Sequence, residues 1–197
     1  MLTGFKYIGE QIKLFEQHNS YQYVFGLEES YGCLAGTYAR DKDACVAVMM
    51  LCEAAAYYKL QHKTLWDAML EMYEKYGYYK EGLATLTLKG IDGAKQIQDR
   101  MSRARSCPPQ ALGGLQVLAV RDYKEGIRRD LRSGRTEPSG LPASNVLYYE
   151  LEDNAWCCIR PSGTEPKIKY YFGVKGKSLE DAAQKLEALK QDLTHSA

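Results

Sequence analysis

The chain has 197 residues, 45% of them hydrophobic, and its 26 Lys plus Arg against 25 Asp plus Glu leave a net charge of +1. That length and composition suffice for one large core or two small ones, and the charge balance excludes general attraction to nucleic acid or a membrane surface, so any anion must be captured locally. Six cysteines (Cys33, Cys45, Cys52, Cys107, Cys157, Cys158) without a C-x-x-C pair, three scattered histidines (His18, His62, His195), no membrane-length apolar run and no signal-peptide pattern at Met1 exclude a disulfide scaffold, a zinc site and export, and predict a cytoplasmic protein with reduced thiols.

In chain order, the aromatic and β-branched residues 21–25 predict a strand running into a polar turn at 26–30. Residues 44–58, nearly all apolar and preceded by Asp41 and Asp43 as N-cap candidates, predict a helix buried on more than one side. Thr64 opens a second helix through a capping box with Asp67, and Gly77 stops it. The Gly- and Tyr-rich residues 77–82 read as a hinge, which divides the chain into domains at 1–77 and 78–197. Beyond it come a strand at 83–88, a turn marked by Gly90 and Gly93, a helix at 94–103, and strands at 115–120, 146–150, 156–160 and 168–174. Residues 132–144, rich in Gly, Pro and Ser, read as a surface loop, and a helix from Ser178 turns Leu179, Ala182, Leu186, Leu189 and Leu193 inward.

Three stretches carry the residue types of an anion- and polyol-binding site. Arg160-Pro161-Ser162-Gly163-Thr164-Glu165-Pro166-Lys167 lies between two predicted strands. Arg160 offers a planar two-pronged donor to phosphate, Ser162 and Thr164 add hydroxyls, Gly163 admits close backbone approach, and Lys167 adds a charge at the rim. In Gly26-Leu27-Glu28-Glu29-Ser30, extended backbone turns Glu28 and Ser30 to one side, an acceptor and a donor–acceptor suited to sugar hydroxyls. Arg40-Asp41-Lys42-Asp43 precedes the apolar helix, with Lys42 a candidate to sit in a cleft near a reacting oxygen. Each has an ordinary alternative: a hairpin loop with a solvated Arg, an acidic surface turn, and a self-paired charge run that caps a helix.

Taken together and in this order, the three stretches resemble the α-D-phosphohexomutase superfamily, especially its phosphoglucomutase branch, over essentially the whole chain. The resemblance implies part of an α/β domain 3 followed by a TATA-binding-protein-like sheet-and-helix domain 4, an α/β and α+β combination. It implies that Glu28 and Ser30, with Thr3 and Gly4 of the Thr3-Gly4-Phe5-Lys6 segment, bind the sugar, and that Lys42 is the catalytic group near the transferring phosphate. Arg160, Ser162, Gly163, Thr164 and Lys167 would hold the non-reacting phosphate.

The phosphoserine segment (Thr-Ala-Ser-His-Asn-Pro type) and the Mg²⁺ loop (Asp-Gly-Asp-Gly-Asp-Arg type) of such enzymes do not occur in the sequence. The resemblance therefore implies the C-terminal part of an enzyme that interconverts hexose 1-phosphate and hexose 6-phosphate through a bisphosphate. Mg²⁺ and glucose 1,6-bisphosphate would serve the parent, the missing N-terminal domains would be its partners, and these 197 residues alone would bind no metal and be inactive. The rival reading is a stand-alone phosphosugar-binding or regulatory module. The choice among glucose, mannose and pentose phosphates is left open.

Overall fold

A computed structural model describes residues 4–28, 32–88, 92–163 and 165–196, and divides into two compact units, Met1–Met72 and Tyr73–Ala197. The first unit begins with a helix absent from the sequence expectations, α1 (Phe5–His18), whose spacing of Phe5, Ile8 and Ile12 puts apolar side chains on one face. Gly4 is its N-cap at φ 130°, a backbone angle that favours glycine, and Asn19 ends it in the left-handed conformation. Phe5, Ile12 and Leu34 form the small core of this unit, with Ile8, Tyr23 and Ala39 packed against it.

The first strand, β1 (Phe25–Glu28), lies later than the predicted 21–25 and includes most of the predicted turn. It pairs antiparallel with β2 (Gly32–Ala35), from Phe25 opposite Ala35 to Glu28 opposite Gly32. Pairing decides this shift. Among the described residues, 21–23 have no strand partner and Val24 only accepts from the Gly36 N–H at 3.0 Å, while Tyr23 is tied down by its hydroxyl, which donates to the Leu34 carbonyl at 3.0 Å.

Helix α2 (Ala44–Lys59) starts where expected, with Asp43 Oδ1 accepting from the N–H groups of Cys45 and Val46. Its predicted burial is wrong. No residue of α2 is buried, and Val48, Met49 and Leu51 are each at least 60% exposed. The described sheet of this unit is only two strands wide, too narrow to cover a helix that is apolar all round. Helix α3 (Leu65–Tyr76) has the predicted capping box: Asp67 N–H donates to Thr64 Oγ1 at 3.1 Å, and Thr64 N–H donates to Asp67 Oδ2 at 2.7 Å.

In the second unit the predicted hinge at 77–82 is instead the first half of a long strand. β3 (Tyr78–Thr87) pairs along its whole length with β10 (Lys167–Gly176), from Tyr78 opposite Gly176 to Thr87 opposite Lys167. Gly82 belongs in this strand because Leu186 of the last helix packs over it, 3.1 Å from where a Cβ would lie. Helix α4 (Gly93–Ser106) follows, then β4 (Ala111–Leu112), β5 (Leu115–Asp122), β6 (Ile127–Asp130), β7 (Thr136–Pro138), β8 (Leu147–Leu151), β9 (Trp156–Pro161) and, after β10, helix α5 (Leu179–Ser196).

Among the described residues the strand pairings of this unit are all antiparallel, in the order β3-β10-β9-β8-β5-β6-β7, with β4 beside β5. The short strands β4 and β6 lie outside the strands that the sequence predicts, and β7 lies within the predicted loop at 132–144. The alternation of β8, with Leu147, Tyr149 and Leu151 buried, and of β9, with Cys157 and Ile159 buried, gives the sheet one apolar face. Met101 and Ala104 of α4 and Ala182, Leu186, Leu189 and Leu193 of α5 cover it. The Tyr149 hydroxyl keeps a partner in this core, donating to the Ala104 carbonyl at 3.1 Å.

Candidate functional site

The residues expected to bind sugar and phosphate fall in different units, each with its own local site. In the first unit, antiparallel pairing brings Glu28 to the end of β1, while the backbone N–H of Asp43 donates to the Cys33 carbonyl of β2 at 2.9 Å and so ties down the segment carrying Lys42. Gly9 helps from the other side: a Cβ there would lie 2.8 Å from the Arg40 carbonyl oxygen, so glycine lets α1 approach this loop closely. The result brings together two predicted residues fourteen positions apart. Lys42 Nζ donates to Glu28 Oε2 at 2.7 Å, and also lies 3.4 Å from Asp41 Oδ1 and 5.2 Å from the centroid of the Phe5 ring.

The Glu28 and Lys42 side chains are only 14% and 20% exposed, whereas Asp41 is 78% exposed, so the Glu28 contact is the sheltered one. The Glu28 hydrogen bond, followed by that of Asp41, raises the basicity of Lys42 against the effect of burial, and the ammonium form is held. Asp41 is held below the usual carboxylate range chiefly by the Lys42 backbone N–H. The rest of the charge run caps and braces: Asp43 caps α2 and accepts from the Tyr38 hydroxyl at 2.6 Å, and Arg40 pairs with Glu16 at 2.6 Å. Gly4 opens α1 beside this cluster; Thr3 and Ser30 lie outside the described residues. A groove of about 530 Å³ beside α1, lined by Lys6, Lys13 and Arg40 among others, includes neither Glu28 nor Lys42.

In the second unit Arg160 stands near the end of β9, exposed, and the chain turns back into β10 at Lys167. The turn is braced by its own backbone: Ser162 N–H donates to the Lys167 carbonyl at 2.8 Å, Lys167 N–H to the Glu165 carbonyl at 2.7 Å, and Glu165 N–H to Ser162 Oγ at 3.3 Å. Space around Gly163 is open, with nothing within 4 Å of where its Cβ would lie. Lys167 is partly committed, its Nζ 2.9 Å from Glu165 Oε1, and Thr164 lies outside the described residues.

Sequence reasoning missed one cation here. Lys169 of β10 lies directly across the ladder from Arg160, also exposed, and among the described residues neither forms an ion pair. Like charges opposite one another on a sheet repel, and an anion between them relieves the repulsion. The strand alternation already put Lys169 on one face with Tyr171; only the β9–β10 register brought Arg160 to the same face. The neighbouring thiols do not compete as nucleophiles, because burial pushes Cys158 up to about 12 and Cys157 well above its ordinary value.

Residues 1–76 match the family described as phosphoglucomutase/phosphomannomutase, alpha/beta/alpha domain III. Across 189 residues, 96% of the chain, it is 40% identical to a phosphoglucomutase of Staphylococcus aureus strain bovine RF122 / ET3-1 and 39% identical to that of strain MSSA476, covering 34% of each relative. Among solved structures, the open form of pp63/parafusin, a phosphoglucomutase from Paramecium, superposes with a TM-score of 0.59 at 16% identity, over 98% of this chain and 32% of that one. That likeness, at such low identity, concerns the fold. The chain spans about a third of the length of the curated relatives it matches.

Proposed function

We infer from these matches that the chain belongs to the phosphohexomutase superfamily, and propose that it is the substrate-holding C-terminal part of a phosphoglucomutase-like enzyme. The parent interconverts hexose 1-phosphate and hexose 6-phosphate through a bisphosphate intermediate. The observation that carries this reading is the pair of exposed cations, Arg160 and Lys169, side by side at a braced turn with no acid between them among the described residues. Arg160 supplies a two-pronged contact to the non-reacting phosphate, Lys169 a point charge, and the Ser162 hydroxyl and the loop backbone the remaining donors. Glu28 accepts from sugar hydroxyls through Oε1, since Lys42 occupies Oε2. The Lys42 ammonium, with two of its three N–H donors near carboxylates, turns the third toward the transferring group and stabilises charge there.

In phosphoryl transfer most of the catalysis is positioning and electrostatic stabilisation, and these residues contribute both without supplying the phosphoryl donor. Among the described residues no three His, Cys, Asp or Glu side chains gather to hold a metal ion. The test is calorimetric titration of the 197-residue chain with glucose 1-phosphate, glucose 6-phosphate, mannose 6-phosphate and unphosphorylated glucose, beside a coupled mutase assay containing Mg²⁺ and glucose 1,6-bisphosphate. Phosphosugars are expected to bind, glucose to fail, and the assay to give no turnover. Equal heats for glucose and its phosphates would overturn the phosphate assignment, and turnover that survives repurification would overturn the division of labour with the rest of the enzyme.

A further inference from the structure

Among the described residues Lys42 has two carboxylate neighbours and one aromatic one. Glu28 and Asp41 are carboxylates, and a polyol or an incoming cation competes for either one. The third is the Phe5 ring, 5.2 Å from Nζ, which makes no hydrogen bond that a ligand could take over. The ring is also fixed. Phe5 is 4% exposed, locked between Ile12 and Leu34, and enters α1 directly after Gly4, whose positive φ sets the angle at which the chain joins the helix. The negative face of an aromatic ring attracts a cation, most strongly where water is partly excluded, and the Lys42 side chain is 20% exposed.

We propose that Phe5 is a positioning residue for Lys42: its ring anchors the ammonium, so that Nζ keeps its place when sugar hydroxyls draw on the Glu28 carboxylate. This rests on reading Lys42 as the group beside the transferring phosphate. Glu28 thereby serves the sugar without releasing Lys42, and the residue after Gly4 is selected for its ring and not only for its bulk.

The test reads Lys42 without any ligand. Trace acetylation of the 197-residue chain, followed by mass spectrometry, gives the labelling rate of Lys42 against Lys59 and Lys190 as internal references. Two variants are compared with the parent chain: Phe5→Leu, which keeps an apolar side chain, and pentafluorophenylalanine at position 5, which keeps the shape and reverses the ring's electrostatics. Removing the ring's attraction leaves more free amine at a given pH, so Lys42 is expected to label about two- to fivefold faster in both, with the reference lysines unchanged. An unchanged Lys42 rate in the fluorinated chain, with its circular dichroism intact, would overturn the proposal even if Phe5→Leu unfolds. Failure of the phosphosugar titration would instead count against the reading of the site, because the labelling involves no sugar.

Discussion

Replacing Arg160 with Ala separates ligand binding from fold stability, because the side chain is exposed and among the described residues forms no ion pair. Without ligand the variant is expected to melt within about 0.5 kcal/mol of the parent, as surface changes do. With ligand the difference is large. A phosphosugar present at about 100 times its Kd adds roughly 2.7 kcal/mol to the folded state. Losing a charge-assisted two-pronged contact costs about 1.5–3 kcal/mol of binding, so at the same ligand concentration the gain falls to about 1.3 kcal/mol or less. For a segment Tyr73–Ala197, which retains all of β3 and both helices of the sheet, unfolding entropy is about 0.26 kcal/mol per kelvin. The expected ligand-induced rise in Tm is therefore about 10 °C for the parent segment and about 5 °C or less for Arg160→Ala. Differential scanning fluorimetry with glucose 6-phosphate measures both. A rise that survives Arg160→Ala undiminished would refute the assignment of this turn to phosphate, and a segment that fails to melt cooperatively would refute its independence as a folding unit.

Glu150 accepts from Arg128 and Arg121 across three strands, and the Arg128 hydrogen bond leads in holding its carboxyl below the usual range. Its stabilising contribution is therefore present at neutral pH and is lost as pH falls from the ordinary carboxylate value through the depressed folded one. In urea titrations from pH 7 to pH 3, Glu150→Gln is expected to flatten the acid limb, and an acid limb identical to the parent's would show that the network does not carry it. The exposed face of α2 should make the isolated 197-residue chain self-associate, and Met49→Lys with Leu51→Glu should shift sedimentation toward monomer and reduce dye binding; a parent chain that is monomeric at every concentration would refute this.

Local pattern carried much of this fold. The alternation at β8 and β9, the inward leucines of α5 and the reciprocal cap of Thr64 and Asp67 are short-range features, set by side-chain period and backbone donors within a few residues. The turn between β9 and β10 was legible for the same reason, lying between two strands whose ends are marked by its own prolines. What escaped depended on partners far along the chain. β6 reads Ile-Arg-Arg-Asp and has no apolar alternation; it pairs with β5 and β7, and Arg128 reaches Glu137 on the neighbouring β7 and, past β5, Glu150 on β8. The 77–82 stretch resembles a hinge by composition and becomes a strand because β10 supplies a partner for every residue from Tyr78. α2 reads as a core helix from its side chains, yet burial needs a surface to bury against, and the described sheet beside it is two strands wide. Residue type alone nominated Glu28, Lys42 and Arg160; that Lys42 meets Glu28 and Phe5, and that Lys169 stands beside Arg160, was decided by hairpin register and helix approach, which act through space and leave no spacing in the sequence to read.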